Sequence, residues 1–149
     1  MNRLKSITAL FSLFVFSLLI SSCDEDSNIT SLYRYALEYN STTAKNPILG
    51  IKVLEDFSTA HNLSIDKSFN GSKVENNNAQ AESLFNNNTT IIDQNLEELK
   101  SMLKEGLKNG QNGQSFTFSF TYRVSGTYAL GEESSAFRQE KKYTVDISY

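Results

Sequence analysis

The chain has 149 residues, 14 basic and 17 acidic, for a formal net charge of −3, with one cysteine, one histidine and no tryptophan. That length suits one domain with a hydrophobic core of its own. The acidic balance excludes the phosphate-neutralising surface that nucleic-acid binding requires. A lone cysteine excludes an internal disulfide, and a lone histidine leaves no pair for a zinc site.

Arg3 and Lys5 open the chain, a predominantly apolar run extends from Ile7 to Ile20, and the small residues Ser21 and Ser22 follow. This is the three-part layout of a secretory signal peptide. The run falls short of the roughly 20 apolar residues that span a bilayer core. Ile20-Ser21-Ser22-Cys23 resembles the lipobox of bacterial lipoproteins, a resemblance confined to residues 1–23. It implies that the Cys23 thiol is diacylglycerated, that the peptide is cut before it, and that the new amine is acylated, palmitate being a typical acyl group. A single acyl chain binds membranes only marginally, whereas two or more anchor stably. Cys23 is therefore expected to be the membrane anchor. The acids Asp24, Glu25 and Asp26 resemble the export signal of Bacteroidota-type surface lipoproteins. In enterobacterial lipoproteins an aspartate after the cysteine instead resembles an inner-membrane retention signal, and a short like-charge run also serves as a solvated tether. The first 22 residues hold two of the 14 basic residues and none of the 17 acids, so the remaining 127 carry a net charge of −5.

The segment 24–30 is expected to be a polar tether. In "SLYRYALEYN" the alternation of Tyr33, Tyr35, Leu37 and Tyr39 against Arg34 and Glu38 favours a strand over a helix. Asn46, Pro47 and the spacing of Ile48, Ile51, Leu54 and Phe57 predict a helix ending near Asn62. Residues 63–78 are polar and contain "NGS" and "NNN", which predicts turns rather than a packed element. A short helical turn is expected over 79–85. "TTIIDQNLEELKSMLKEGLKNG" predicts a long helix: Thr90 and Asp93 approximate a capping box, Gly110 provides a stop, and Ile92, Leu96, Leu99, Leu103 and Leu107 form a stripe. The period then changes. Phe116, Phe118, Phe120, Tyr122 and Val124, and later Tyr143, Val145, Ile147 and Tyr149, alternate with polar residues, which predicts antiparallel strands covered on one face. Gly126 and Gly131 permit a bulge or turn between them. The expected fold is α+β: an antiparallel sheet with a long C-terminal hairpin, one face covered by two or three helices, over residues 31–149.

Few residues point to chemistry. His61 stands at a predicted helix end without a glycine-framed nucleophilic serine, so a Ser-His-acid relay is not indicated. "DKSFNGSKVEN" partly resembles a calcium loop through Asp66, Ser68, Asn70 and Gly71, but the twelfth position, which needs a glutamate, is Asn77. The seven tyrosines fall in or beside the predicted strands, as a sheet packed on helices requires, and a glycan-stacking face is the alternative. Tyr128 is the tyrosine kept as a candidate exposed contact, and Glu132 and Glu133 as a candidate acidic patch. With a lipobox present, the sequons at Asn40 and Asn88 are chance matches. The expectation is a lipid-anchored envelope protein at the outer membrane, either buried in the envelope or at the cell surface. It is non-catalytic, uses no metal or cofactor, and binds a protein or glycan. An inhibitor or immunity-type lipoprotein is the alternative, and an enzyme the third reading.

Overall fold

The computed structural model describes residues 28–127 and 137–149. The elements run β1 (Ile29–Thr42), α1 (Pro47–Ala60), β2 (Ile65–Gly71), α2 (Val74–Gln94), α3 (Leu96–Leu107), β3 (Phe116–Thr127) and β4 (Arg138–Ile147). The strands form one antiparallel sheet in the order β2-β1-β3-β4. The α+β expectation and the C-terminal hairpin are borne out, and residues 31–40 are strand. The N-terminal strand begins at Ile29, slightly earlier than predicted, and lies in the middle of the sheet.

Alternation divides the sheet into two chemically distinct faces. Tyr33, Tyr35, Phe116, Phe118, Phe120, Tyr122, Val124, Tyr143, Val145 and Ile147 are buried, which defines the face beneath the helices. The opposite face is polar and tied by ion pairs. Arg123 meets Glu38 at 2.7 Å and Glu140 at 3.4 Å, and Arg34 meets Asp66 at 2.9 Å. On the helical side, α1 packs through Gly50, Leu54, Phe57 and Ser58. Gly50 is required there, since a β-carbon would lie 2.6 Å from the Phe118 ring. Ile48, predicted to join the apolar stripe, is instead 75% exposed. It lies in the first turn of α1, just after the chain leaves the sheet.

Four further expectations are corrected. Residues 63–78 are not a run of turns, because β2 occupies 65–71 and α2 begins at Val74. Only Ile65 and Phe69 pack against the core from that edge strand, so its alternation has just two apolar members. The helix predicted from residue 89 is the end of one helix and the whole of another, divided at Asn95 (φ −108°, ψ 17°). There the Asn95 amide donates to the Ile91 carbonyl at 2.8 Å, closing α2 before α3 begins at Leu96. Thr90 and Asp93 form no capping box: the Thr90 hydroxyl donates to the Asn86 carbonyl and Asp93 accepts from Lys141 of β4. The short turn expected over 79–85 is the middle of α2.

α2 explains why so polar a segment folds. Its inner row is Asn77, Ala81, Phe85, Asn88, Thr89 and Ile92, a helical stripe in which half the members are polar. The sheet answers with phenol hydroxyls. Tyr33 donates to Asn78 Oδ1 at 2.6 Å, Tyr35 to the Ala81 carbonyl at 3.0 Å, and Tyr143 to the Thr89 carbonyl at 3.5 Å. Asn88 donates to the Tyr122 hydroxyl at 2.6 Å, and that hydroxyl donates onward to the Leu63 carbonyl at 3.2 Å. The buried tyrosines thus fill the core and hydrogen-bond α2 at four points, while Asn77 donates to the Ile29 carbonyl and the Ser31 hydroxyl and keeps a buried Oδ1 without a partner among the described residues.

Candidate functional site

Of the residues singled out in the sequence, Cys23, Asp24, Glu25, Asp26, Tyr128, Glu132, Glu133 and Gly131 lie outside the described residues. His61 follows the last turn of α1, its ring 4.6 Å from that of Phe57 and its Nε2 3.2 Å from Glu98 Oε2. It is a link between α1 and α3. Asp66, Ser68 and Asn70 sit at alternate positions of β2, and Asn77 belongs to α2, so this stretch is a strand and helix start rather than an ion-wrapping loop. Among the described residues no three His, Cys, Asp or Glu side chains gather where a metal could sit. Four of the tyrosines, Tyr33, Tyr35, Tyr122 and Tyr143, are core residues. Burial raises Tyr35 and Tyr143 well above the ordinary phenol range and pushes Tyr122 up to about 12. No stacking platform for a sugar is built from these four. Gly126 lies within β3, its N–H donating to the Phe137 carbonyl at 2.8 Å, so it makes no turn.

The feature with the geometry of a binding surface is one that sequence reasoning missed. β1 is longer than its neighbour β2: their ladder ends at the pair Tyr35–Ile65, while β1 continues to Thr42 along β3. From Ala36 onward, β1 therefore has no strand on its β2 side among the described residues. The Leu37 N–H points to that side, reaching Ser64 Oγ at 3.4 Å. In an antiparallel ladder alternate residues aim both backbone groups the same way, so Tyr39 presents its N–H and C=O to the same open edge. Asn40 is the extra residue of a bulge between Tyr39 and Ser41.

A groove runs beside this edge on the helical side. It is a half-open groove of about 190 Å³ lined by Leu37, Tyr39, Ile51, Leu54 and Glu55, with Ser58 and Ser64 also on its wall. The two serine hydroxyls lie 2.6 Å apart. Ile48, Ile51 and Glu55 recur at helical spacing along α1, so exposed Ile48 extends the same stripe outward. The Glu55 carboxylate forms no ion pair among the described residues. A second, shallower depression of about 290 Å³, lined by Arg34, Ala36, Ser64 and Asp66, flanks the start of β2.

No protein-family model, no curated protein and no solved structure matches this chain. The class defined by the observed architecture is an α+β protein with a one-sided antiparallel sheet.

Proposed function

We propose that this chain is a lipid-anchored cell-envelope protein whose α+β domain is a non-catalytic binding or scaffolding module at the outer membrane. The observation that carries the reading is Cys23 at the end of a lipobox-like signal segment, six residues before β1 begins at Ile29. Six extended residues reach at most about 20 Å, so the start of β1 is the membrane-proximal end of the domain. On this reading the register indicates which end of the sheet lies nearer the anchor. Leu32 pairs with Thr127, so the β3–β4 connection leaves the sheet at the proximal end. The open edge of β1 and the exposed start of α1 belong to the opposite end, facing away from the bilayer.

Replacing Cys23 with Ser tests the proposal. The variant is expected to leave the membrane fraction of expressing cells and become soluble after lysis. A Cys23→Ser protein that still partitions with lipid overturns it.

A further inference from the structure

We infer that the open edge of β1 over residues 36–41 is a strand-addition site for an extended peptide segment of a partner protein carrying a basic side chain beside aliphatic ones. The inference names the partner class for the binding role proposed above.

The backbone dictates the occupant's conformation. Tyr39 directs its N–H and C=O, and Leu37 its C=O, into a slot beyond the end of the β1–β2 ladder, the Leu37 N–H being held by Ser64 Oγ at 3.4 Å, and an extended chain matches that spacing. Six residues of edge accept about 20 Å of strand. The groove dictates the side chains. One face of an added strand would lie over Leu37, Tyr39 and Ile51, with Ile48 exposed at the outer end, and this suits aliphatic residues. Glu55 lines the groove without a cationic partner among the described residues, whereas neighbouring Asp56 already pairs with Lys52. A lysine or arginine on the incoming strand supplies the missing charge.

The same charges argue against a second copy as the occupant. The segment 36–41 of a second copy carries Glu38 and no lysine or arginine to offer Glu55, and a chain of net charge −5 after removal of its first 22 residues repels its own copies.

The test uses the full chain in detergent and fluorescent, end-blocked peptides of about six residues that alternate valine with threonine. One carries a central lysine, a second a glutamate in its place, and a third N-methylated amides on the lysine background. The lysine peptide is expected to bind and to shift the amide resonances of residues 37–41. The glutamate peptide should bind about two- to fivefold more weakly, the scale of one exposed ion pair. The N-methylated peptide should bind about tenfold more weakly or not at all, because the ladder hydrogen bonds are gone. Glu55→Lys, an exposed substitution that leaves the core intact, should invert the preference between lysine and glutamate. Absence of binding, shifts confined to another surface, or no change of preference in Glu55→Lys overturns the inference. So does peptide-independent self-association that shifts the same resonances, since it assigns the edge to a second copy. Peptide binding is read whether or not Cys23 carries lipid, so failure here leaves the anchor proposal standing.

Discussion

At the scale of single residues, the buried tyrosines set the terms of stability. Tyr122 is the most connected, accepting from Asn88 and donating to the Leu63 carbonyl, with its ring stacked on Phe85 at 5.4 Å. Tyr122→Phe keeps the ring and removes both hydrogen bonds, leaving an amide donor and a carbonyl buried without partners. The expected loss is about 1–3 kcal/mol in chemical denaturation, the cost of orphaned buried polar groups. Tyr149 is the control: its hydroxyl also donates to a carbonyl, that of Lys104 at 2.9 Å, but the residue is 39% exposed. Tyr149→Phe should change stability by no more than about 0.5 kcal/mol. Alternation in the sequence shows that these tyrosines share a face. It does not show that asparagines of α2 are their partners, because that pairing joins residues more than 30 positions apart.

At the scale of elements, α1 and α3 lie side by side in opposite directions, with Val53 facing Gly106 and His61 facing Glu98. A β-carbon at Gly106 would stand 2.8 Å from Val53 Cγ2, so the glycine sets how closely the helices approach. Gly106→Ala alone should destabilise, since overpacking of about 1–3 kcal/mol outweighs a helix-propensity gain of about 1 kcal/mol. In a Val53→Ala background the clash is relieved, and the same change should stabilise. A double-mutant cycle in urea is expected to return a favourable coupling of about 1 kcal/mol or more. Additivity of the two changes would show that Gly106 does not set the spacing. The division at Asn95 belongs to this scale as well. Hydrophobic spacing runs on from Ile92 through Leu96 to Leu99, and only the backbone at Asn95 reveals that the helix is broken there. β2 was hidden for the related reason that an edge strand with two inward apolar residues carries little period.

For the molecule as a whole, titration and anchoring make separable predictions. The raised phenol pKa values of Tyr35, Tyr122 and Tyr143 mean that the folded state holds protons which the unfolded chain, titrating near 10, releases first. Their contribution is therefore fully present below about pH 10 and is lost as pH climbs toward about 12. Thermal denaturation from pH 8 to 11 should show a midpoint that is level at first and falls above about pH 10. Tyr122→Phe should flatten part of that fall, and a midpoint that rises through this range would contradict the assignment. At the chain start, replacing Asp24, Glu25 and Asp26 with Ala should reduce protease accessibility on whole cells if the acids direct export. Unchanged accessibility would leave them as a solvated tether. By itself the sequence determined the α+β class, the C-terminal hairpin, the aromatic face of the sheet and the expectation of an anchor at Cys23. These follow from local period and composition, which neighbouring residues carry between them. Only the tertiary structure decided that β1 lies in the middle of the sheet, that a polar helix is held by phenol hydroxyls, and that half of one strand edge stands open beside Glu55. The lengths of two strands distant in sequence create that edge by their mismatch, and no local pattern records the difference.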